Sequence, residues 1–311
     1  MGNIARLRVK QSALEAIRAR LSVGIDKARA TEGAAAKFFG GWLACAKVQT
    51  VKDGMQGKFG VNAKGNRRLL PGLAVGDGFT RHPFDLEFGV RTSGLVAGRH
   101  LTSGHRHDRY NTAYYGVAPS VLQGLIRRWR RSRPAAPMEA FTFVDVGAGM
   151  GRAVLLAAEL PFKAAVGVEL HPALERIARK NMRLWRAAGR AQVPMRMVCG
   201  DAVEFEWPEG HCVAFLFNPF EETVMRRLLK VWRKSFKGRA NELDILYVNN
   251  EQERVLEGQA GFERLFLGEV RRSRADAIAD HKILANQPEG EYASSNGEDC
   301  SIWRFVGRRR S

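Results

Sequence analysis

Cysteine is scarce in this 311-residue chain: Cys45, Cys199, Cys212 and Cys300 are scattered, with no Cys-x-x-Cys pair. That spacing argues against a zinc knuckle or a disulfide framework and fits a reducing cytoplasm. No apolar run approaches the roughly 20 residues that a bilayer demands. The amino terminus also lacks the apolar stretch and small-residue cleavage site of a secretory leader, so the sequence reads as soluble and cytoplasmic, with no membrane partner. Two nucleotide signatures are missing as well. There is no G-x-x-x-x-G-K-[ST], and the glycine series after the best strand breaks the G-x-G-x-x-G spacing with Arg152 at its sixth position.

Acidic residues are short in one half. Residues 1–140 hold 24 Lys/Arg against 9 Asp/Glu, or +15, whereas residues 141–311 hold 26 against 23, or +3, within a total of +18. A positive field so placed suits an acidic macromolecular partner, protein or nucleic acid, and serves solubility equally. With 45% apolar content the chain can bury a full α/β core and keep a smaller second region.

Residues 12–30 have the pattern of an amphipathic helix, with Leu14, Ile17, Leu21, Ile25 and Ala28 on one face and a capping box from Ser12 and Glu15. Residues 40–78 are glycine-rich and poorly periodic, which predicts loops. A boundary near Asp77 to Pro83 then divides a basic, partly helical N-terminal region, 1–80, from a main domain, 81–311. His100, His105 and His107, followed by Asp108, have the composition of a metal site, but no further ligand stands at a familiar spacing; a polar loop is the expectation and no metal is assigned. The next helix buries Val121, Leu122, Leu125, Ile126 and Trp129. Its cationic end, Arg127, Arg128, Arg130, Arg131 and Arg133, opposes the helix dipole and offers an anionic contact.

The chain is organised around Phe141 to Arg152, an apolar strand that runs into Gly147, Gly149 and Gly151. The glycines permit a sharp turn and close approach of a ligand, with Asp145 at the strand's carboxyl end. A second strand, Ala164 to Leu170, carries Glu169, 18 residues past Gly151, where nucleotide sites of doubly wound sheets place a ribose-binding carboxylate. The helix after it is expected to bury Leu174, Ile177, Ala178, Leu184 and Trp185. Further strands end at Gly200-Asp201-Ala202 and Asn218-Pro219-Phe220, and three more follow at Leu243 to Val248, Phe262 to Val270 and Cys300 to Val306. Alternating strands and helices predict a doubly wound, mostly parallel sheet.

Taken together, the four strand tips resemble those of the class I S-adenosylmethionine-dependent methyltransferases, over about residues 110–306. Phe-Val-Asp-Val-Gly-Ala-Gly-Met-Gly-Arg, Val-Gly-Val-Glu and Leu-Phe-Asn-Pro-Phe look like a bacterial branch of that class. The resemblance implies a seven-stranded sheet and S-adenosyl-L-methionine as cofactor. It implies that Gly147, Gly149 and Gly151 abut the cofactor's amino-acid portion, that Glu169 binds its ribose, and that Asp201 with Ala202 binds its adenine, with Asp145 facing the cofactor from the end of its strand. The branch's Tyr-x-Pro-Thr-Pro entry corresponds to Tyr114-Tyr-Gly-Val-Ala-Pro119, which adds Tyr114 to the pocket and departs from the pattern at Gly116 and Ala118. Asn218-Pro219-Phe220 is similar to the [DNS]-P-P-[YF] segment of amino-group methyltransferases and to the Asn-Asn-Phe of the non-SET nucleosomal lysine methyltransferases. That implies an amine acceptor, protein lysine first, with Asn218 aiming it and Phe220 walling it. The alternatives are methylation of a nucleic acid and a non-catalytic binding module on the same fold.

Overall fold

In the computed structural model, residues 81–285 and 295–307 are described. They fall in the second of two compact units, residues 67–311. The helix expected over 12–30, the glycine-rich stretch and Cys45 lie outside the described residues.

Each strand is short, apolar and ends in a glycine or a polar residue, so the chain returns repeatedly to the same sheet edge. The central strand β3, Thr142–Val146, is buried along its whole length. It is flanked in parallel by β4, Ala164–Glu169, and by β6, Cys212–Phe217, with Asp145 in register between Gly167 and Phe215. β5, Met195–Cys199, extends the sheet beyond β4, and β7, Leu243–Val248, extends it beyond β6. The last strand, β9, Gly297–Phe305, inserts antiparallel between β7 and β8, Phe262–Arg271. The order β5-β4-β3-β6-β7-β9-β8, five parallel strands and an antiparallel pair with flanking helices, is the class I methyltransferase fold.

The helices follow from apolar spacing and capping. α1, Pro83–Phe88, starts with proline at its first position, and the imidazole of His82 accepts from the Phe84 amide at 3.1 Å. Two short strands, β1 (Leu95–Val96) and β2 (Tyr114–Tyr115), pair antiparallel beside the main sheet. α2, Pro119–Arg131, buries the five residues expected of it, and its Trp129 donates to Asp244 of β7 at 2.7 Å. Asp244 in turn holds Arg304 of β9 at 2.7 and 2.9 Å, so a buried ion pair joins α2 to both strands. α3, Arg152–Ala157, follows the glycines, and α4, Pro172–Ala187, follows β4. On α4, Leu174, Ala178 and Trp185 are buried as expected, but Leu184 is 40% exposed. The buried stripe runs through 174, 178, 181, 182 and 185, and Leu184 sits one position off it.

α5, Glu222–Ser235, packs its Leu228, Leu229 and Trp232 into the core that β3, β6 and β7 share, and the short α6, Glu253–Glu257, adds Val255 and Leu256. α7, Arg274–Ala285, has little apolar periodicity, which is why the sequence gives no sign of it. It is anchored instead by buried acids: Asp276 accepts from the Ser120 amide at 2.8 Å, and Asp280 accepts from the Tyr115 hydroxyl at 2.7 Å and forms an ion pair with Arg272, Nε to Oδ2 2.8 Å. No helix among the described residues is long and apolar enough to cross a membrane.

Candidate active site

All of the polar strand tips open onto one end of the sheet. Immediately after β3, Gly147, Gly149 and Gly151 have φ of 75°, 54° and 86°, a region that side chains rarely enter. Space is the second reason for glycine there. A Cβ on Gly147 would overlap Pro219, and one on Gly149 would overlap the ring of Tyr114. The Gly147 and Ala148 amides donate to the Val168 carbonyl at 2.9 and 3.0 Å, which ties the loop to β4. The Gly149 amide then donates to Glu169 Oε2 at 2.7 Å, while the His171 amide donates to Oε1 at 2.8 Å. The acid at the tip of β4 is thus aimed by the loop it faces.

A cleft lies over these tips. Asp145, Gly147, Glu169, Asp201, Ala202, Tyr114, Pro219 and Phe220, all singled out in the sequence, line it together. Gly149 and Gly151 do not; they shape the loop from behind, Gly151 against Ala178. Burial raises the pKa of Asp145 well above the ordinary carboxylate range, and neighbouring Glu169 raises it further. Burial also raises Glu169, opposed by the amides of His171 and Gly149. Two buried acids with little to neutralise them make a site that favours a ligand carrying positive charge.

Arg152, the residue that breaks the dinucleotide spacing, is buried and belongs to the wall. Its guanidinium donates to Thr92 Oγ1 at 2.7 Å, to the carbonyls of Gly116, Val117 and Thr92 at 3.0, 3.2 and 3.1 Å, and to Ser93 Oγ at 3.3 Å. Asp85 of α1, fully buried, lies 3.9 Å away and accepts the amides of Thr92 and Ser93 at 2.7 Å each. The segment from α1 to β2 is therefore bolted to the glycine loop through one cation. The same contact accounts for glycine at 116: a Cβ there would collide with the Arg152 guanidinium and the Thr92 carbonyl. Tyr114 completes the bolt, its hydroxyl donating to the Thr92 carbonyl at 2.8 Å.

The histidine loop corrects one expectation. A partner for it exists, in the tip of β5. His107 is buried with Nδ1 2.7 Å from Asp201 Oδ2, off the line of an ideal hydrogen bond, and His105 Nε2 is 3.8 Å from the same oxygen. His105, His107 and Asp201 are close enough to one another to hold a metal ion. The surroundings speak against it, because Arg227 of α5 donates to His107 Nε2. That leaves the ring proton on Nδ1, facing Asp201, and a protonated nitrogen is no ligand. The cluster instead holds Asp201, whose other oxygen accepts the Val203 amide at 3.0 Å. Asp108 closes the loop from within, accepting the amides of Ser103, Gly104 and His105.

The tip of β6 is covered. Asn218 has φ of 37°, which asparagine tolerates better than other side chains. Its backbone carbonyl accepts from the Thr112 hydroxyl, its side-chain carbonyl from the Tyr247 hydroxyl at 3.2 Å, and the Pro219 carbonyl from the Thr112 amide at 3.4 Å. Glu221 donates its amide to the Tyr110 carbonyl at 3.0 Å, and Asn111 bridges Phe220. Pro219 and Phe220 face the cleft already described, whereas Asn218 faces a second one. Asn111, Thr112, Ala113 and Tyr115, with Phe217, form the partition between the two.

Of these long-range partners, Asp85, Thr92, Thr112, Arg227 and Tyr247 carried no signal in the sequence beyond polarity, and His107 stood out only as one of a histidine group without its partner Asp201. No protein-family model matches the chain, and no curated protein matches it. Among solved structures it is similar to a putative RNA methyltransferase from Pyrococcus horikoshii, at 16% identity and a TM-score of 0.40 over 60% of this chain and 84% of that one. An RNA methyltransferase from Salinibacter ruber in complex with S-adenosyl-L-homocysteine shares 17% identity at a TM-score of 0.34, covering 60% and 92%. The [4+2]-cyclase SpnF shares 18% at 0.43, covering 60% and 82%. At these scores the likeness bears on no functional assignment, and the fold assignment stands on the strand order itself.

Proposed function

We propose that this chain is an S-adenosylmethionine-dependent methyltransferase that acts on an amino nitrogen of a protein, lysine first, in the cytoplasm. One observation supports the cofactor above all: Glu169, fixed by the Gly149 and His171 amides, shares a cleft with Asp145 and Asp201. Three carboxylates at three successive strand tips fit a ligand with a ribose diol, an amino-bearing base and a cationic portion. Gly147 has no room for a side chain beside that cleft, as a close backbone approach to a ligand needs. When bound, the cofactor supplies a methyl group on a sulfonium, open to in-line displacement by an amine lone pair. The chain's part is to orient and to exclude water. Glu169 holds the ribose, Asp201 the adenine amine, and Asp145 with the glycine loop the amino-acid end. Phe220 and Pro219 make the apolar wall where the acceptor approaches, and the Asn218 carbonyls accept the amine's hydrogens.

The second reading is transfer to a nucleic acid, favoured by the +15 of residues 1–140. On either reading that basic half meets the acidic partner. The test incubates the protein with methyl-labelled cofactor and a host lysate, then treats parallel samples with protease or nuclease. Label released by protease supports the protein acceptor. Label released by nuclease, with activity falling steeply as salt rises, supports the alternative. Cofactor binding without label in any fraction leaves a binding module and removes the enzyme.

A further inference from the structure

The three carbonyl oxygens at the tip of β6 that suit an amine acceptor are already taken by donors of the chain itself. Thr112 supplies two of the three donors: its hydroxyl to the Asn218 backbone carbonyl and its amide to the Pro219 carbonyl at 3.4 Å. It does so from the partition between the two clefts, which it lines on both sides. An oxygen can accept twice, but a buried acceptor with one donor in place is a weaker target for a second. The bond geometry around Thr112, one hydroxyl and one amide directed at adjacent carbonyls, is what a primary or secondary amine would offer there.

We propose that Thr112 is an internal stand-in for the methyl acceptor, and that the segment Tyr110 to Ala113 is a strap that must leave the tip of β6 before the acceptor can reach it. This rests on the methyltransferase reading above. Against the tip the strap is lightly held; elsewhere Asn111 donates its side-chain amide to the Leu101 carbonyl at 3.2 Å and Tyr110 packs against the core. Besides Thr112, its ties to the tip are the Glu221 amide to the Tyr110 carbonyl and the Asn111 to Phe220 bridge. The rest of the same segment is not: Tyr114 and Tyr115 on its far side are anchored to Thr92 and Asp280. A fixed end beside a stretch with few bonds to the tip is the construction of a hinged cover.

The test needs no knowledge of the acceptor. Two ligands are compared by calorimetry: S-adenosylhomocysteine, which carries nothing where the methyl was, and sinefungin, in which a carbon bearing an amine replaces the methylated sulfur. Only the second presents an amine toward the β6 tip, in competition with Thr112. Thr112→Val removes the hydroxyl at nearly constant volume. The expected result is a preference for sinefungin over S-adenosylhomocysteine that rises about three- to tenfold, the range of one net hydrogen bond, with the affinity for S-adenosylhomocysteine unchanged. Thr112→Ser keeps the hydroxyl and is expected to match the wild type, which controls for damage at the site. A preference that stays level or falls in Thr112→Val overturns the stand-in. Failure of the wild type to bind either ligand overturns the cofactor reading instead, so the two failures are told apart.

Discussion

The ring of Tyr114 lies against the α-carbon of Gly149, so close that a methyl group at 149 would overlap ring atoms. One residue belongs to the covering segment and the other to the loop at the heart of the site. Their contact makes the loop's shape depend on the cover. Gly149→Ala is therefore expected to destabilise the fold by about 1–3 kcal/mol through overpacking, on top of the cost of φ 54°. Urea unfolding measures it. Gly149→Ala combined with Tyr114→Leu is expected to recover part of the loss, which independent effects would not.

Glu169→Gln keeps the bulk and one acceptor oxygen, removes the charge, and turns an NH2 group toward the amide of Gly149 or His171. Loss of charge-assisted hydrogen bonds to a ribose predicts roughly 10- to 100-fold weaker cofactor binding. Asn218→Ala is expected to leave that affinity within about threefold and to lower methyl transfer. Equal loss of binding in the two variants would sink the division of roles.

Arg152→Met keeps the bulk of the buried side chain and strands Asp85. Breaking a buried pair from one side costs about 3–5 kcal/mol, and most of it is expected here because the guanidinium makes five hydrogen bonds. The double variant Arg152→Met with Asp85→Leu is expected to be more stable than the single one. Thermal or urea melts of the three proteins decide it.

His107→Phe fills the same space without a proton to share with Asp201. Its expected effect is weaker cofactor binding, because Asp201 loses the imidazole that lies against its carboxylate. Because Arg227 contacts the other ring nitrogen, zinc is expected to leave the melting temperature of the wild type unchanged. A rise with zinc that His105→Ala abolishes would reverse this and make the cluster a metal site.

The pH dependence of cofactor binding follows from the two buried acids. Both have pKa values raised in the free protein, by burial first. A cofactor with cationic groups and a ribose prefers them ionised, so binding releases protons and affinity grows as pH rises through the raised values. It is expected to weaken on acidification at a higher pH than an ordinary carboxylate would allow. Calorimetry in buffers of different ionisation enthalpy reads the proton release directly; buffer-independent heats would contradict it.

The strands were legible because each buried parallel strand is a short apolar run closed by a polar tip. The tips converge on one edge through connectivity alone, so Asp145, Glu169 and Asp201 could be placed in one site before any coordinates. Asp201 was legible as an acid at a tip, but its partner His107 lies 94 positions earlier in the chain and owes its place to the path of a loop. Arg152 was visible only as a break in a glycine spacing. Its meaning depends on Asp85 and Thr92, polar residues in a stretch with little periodicity. α7 failed to register for a related reason: it is held by Asp276 and Asp280 rather than by an apolar stripe.

The antiparallel strand β9 is the last strand in sequence and lies inside the sheet. Until it is made, β7 stands as an open edge of buried apolar residues, Leu243 to Val248, and Asp244 waits for Arg304. During synthesis the nascent chain thus carries a sticky, unpaired edge through about fifty residues. A stop placed before residue 297 would leave that edge permanently open, and the product is expected to aggregate rather than survive as a smaller enzyme.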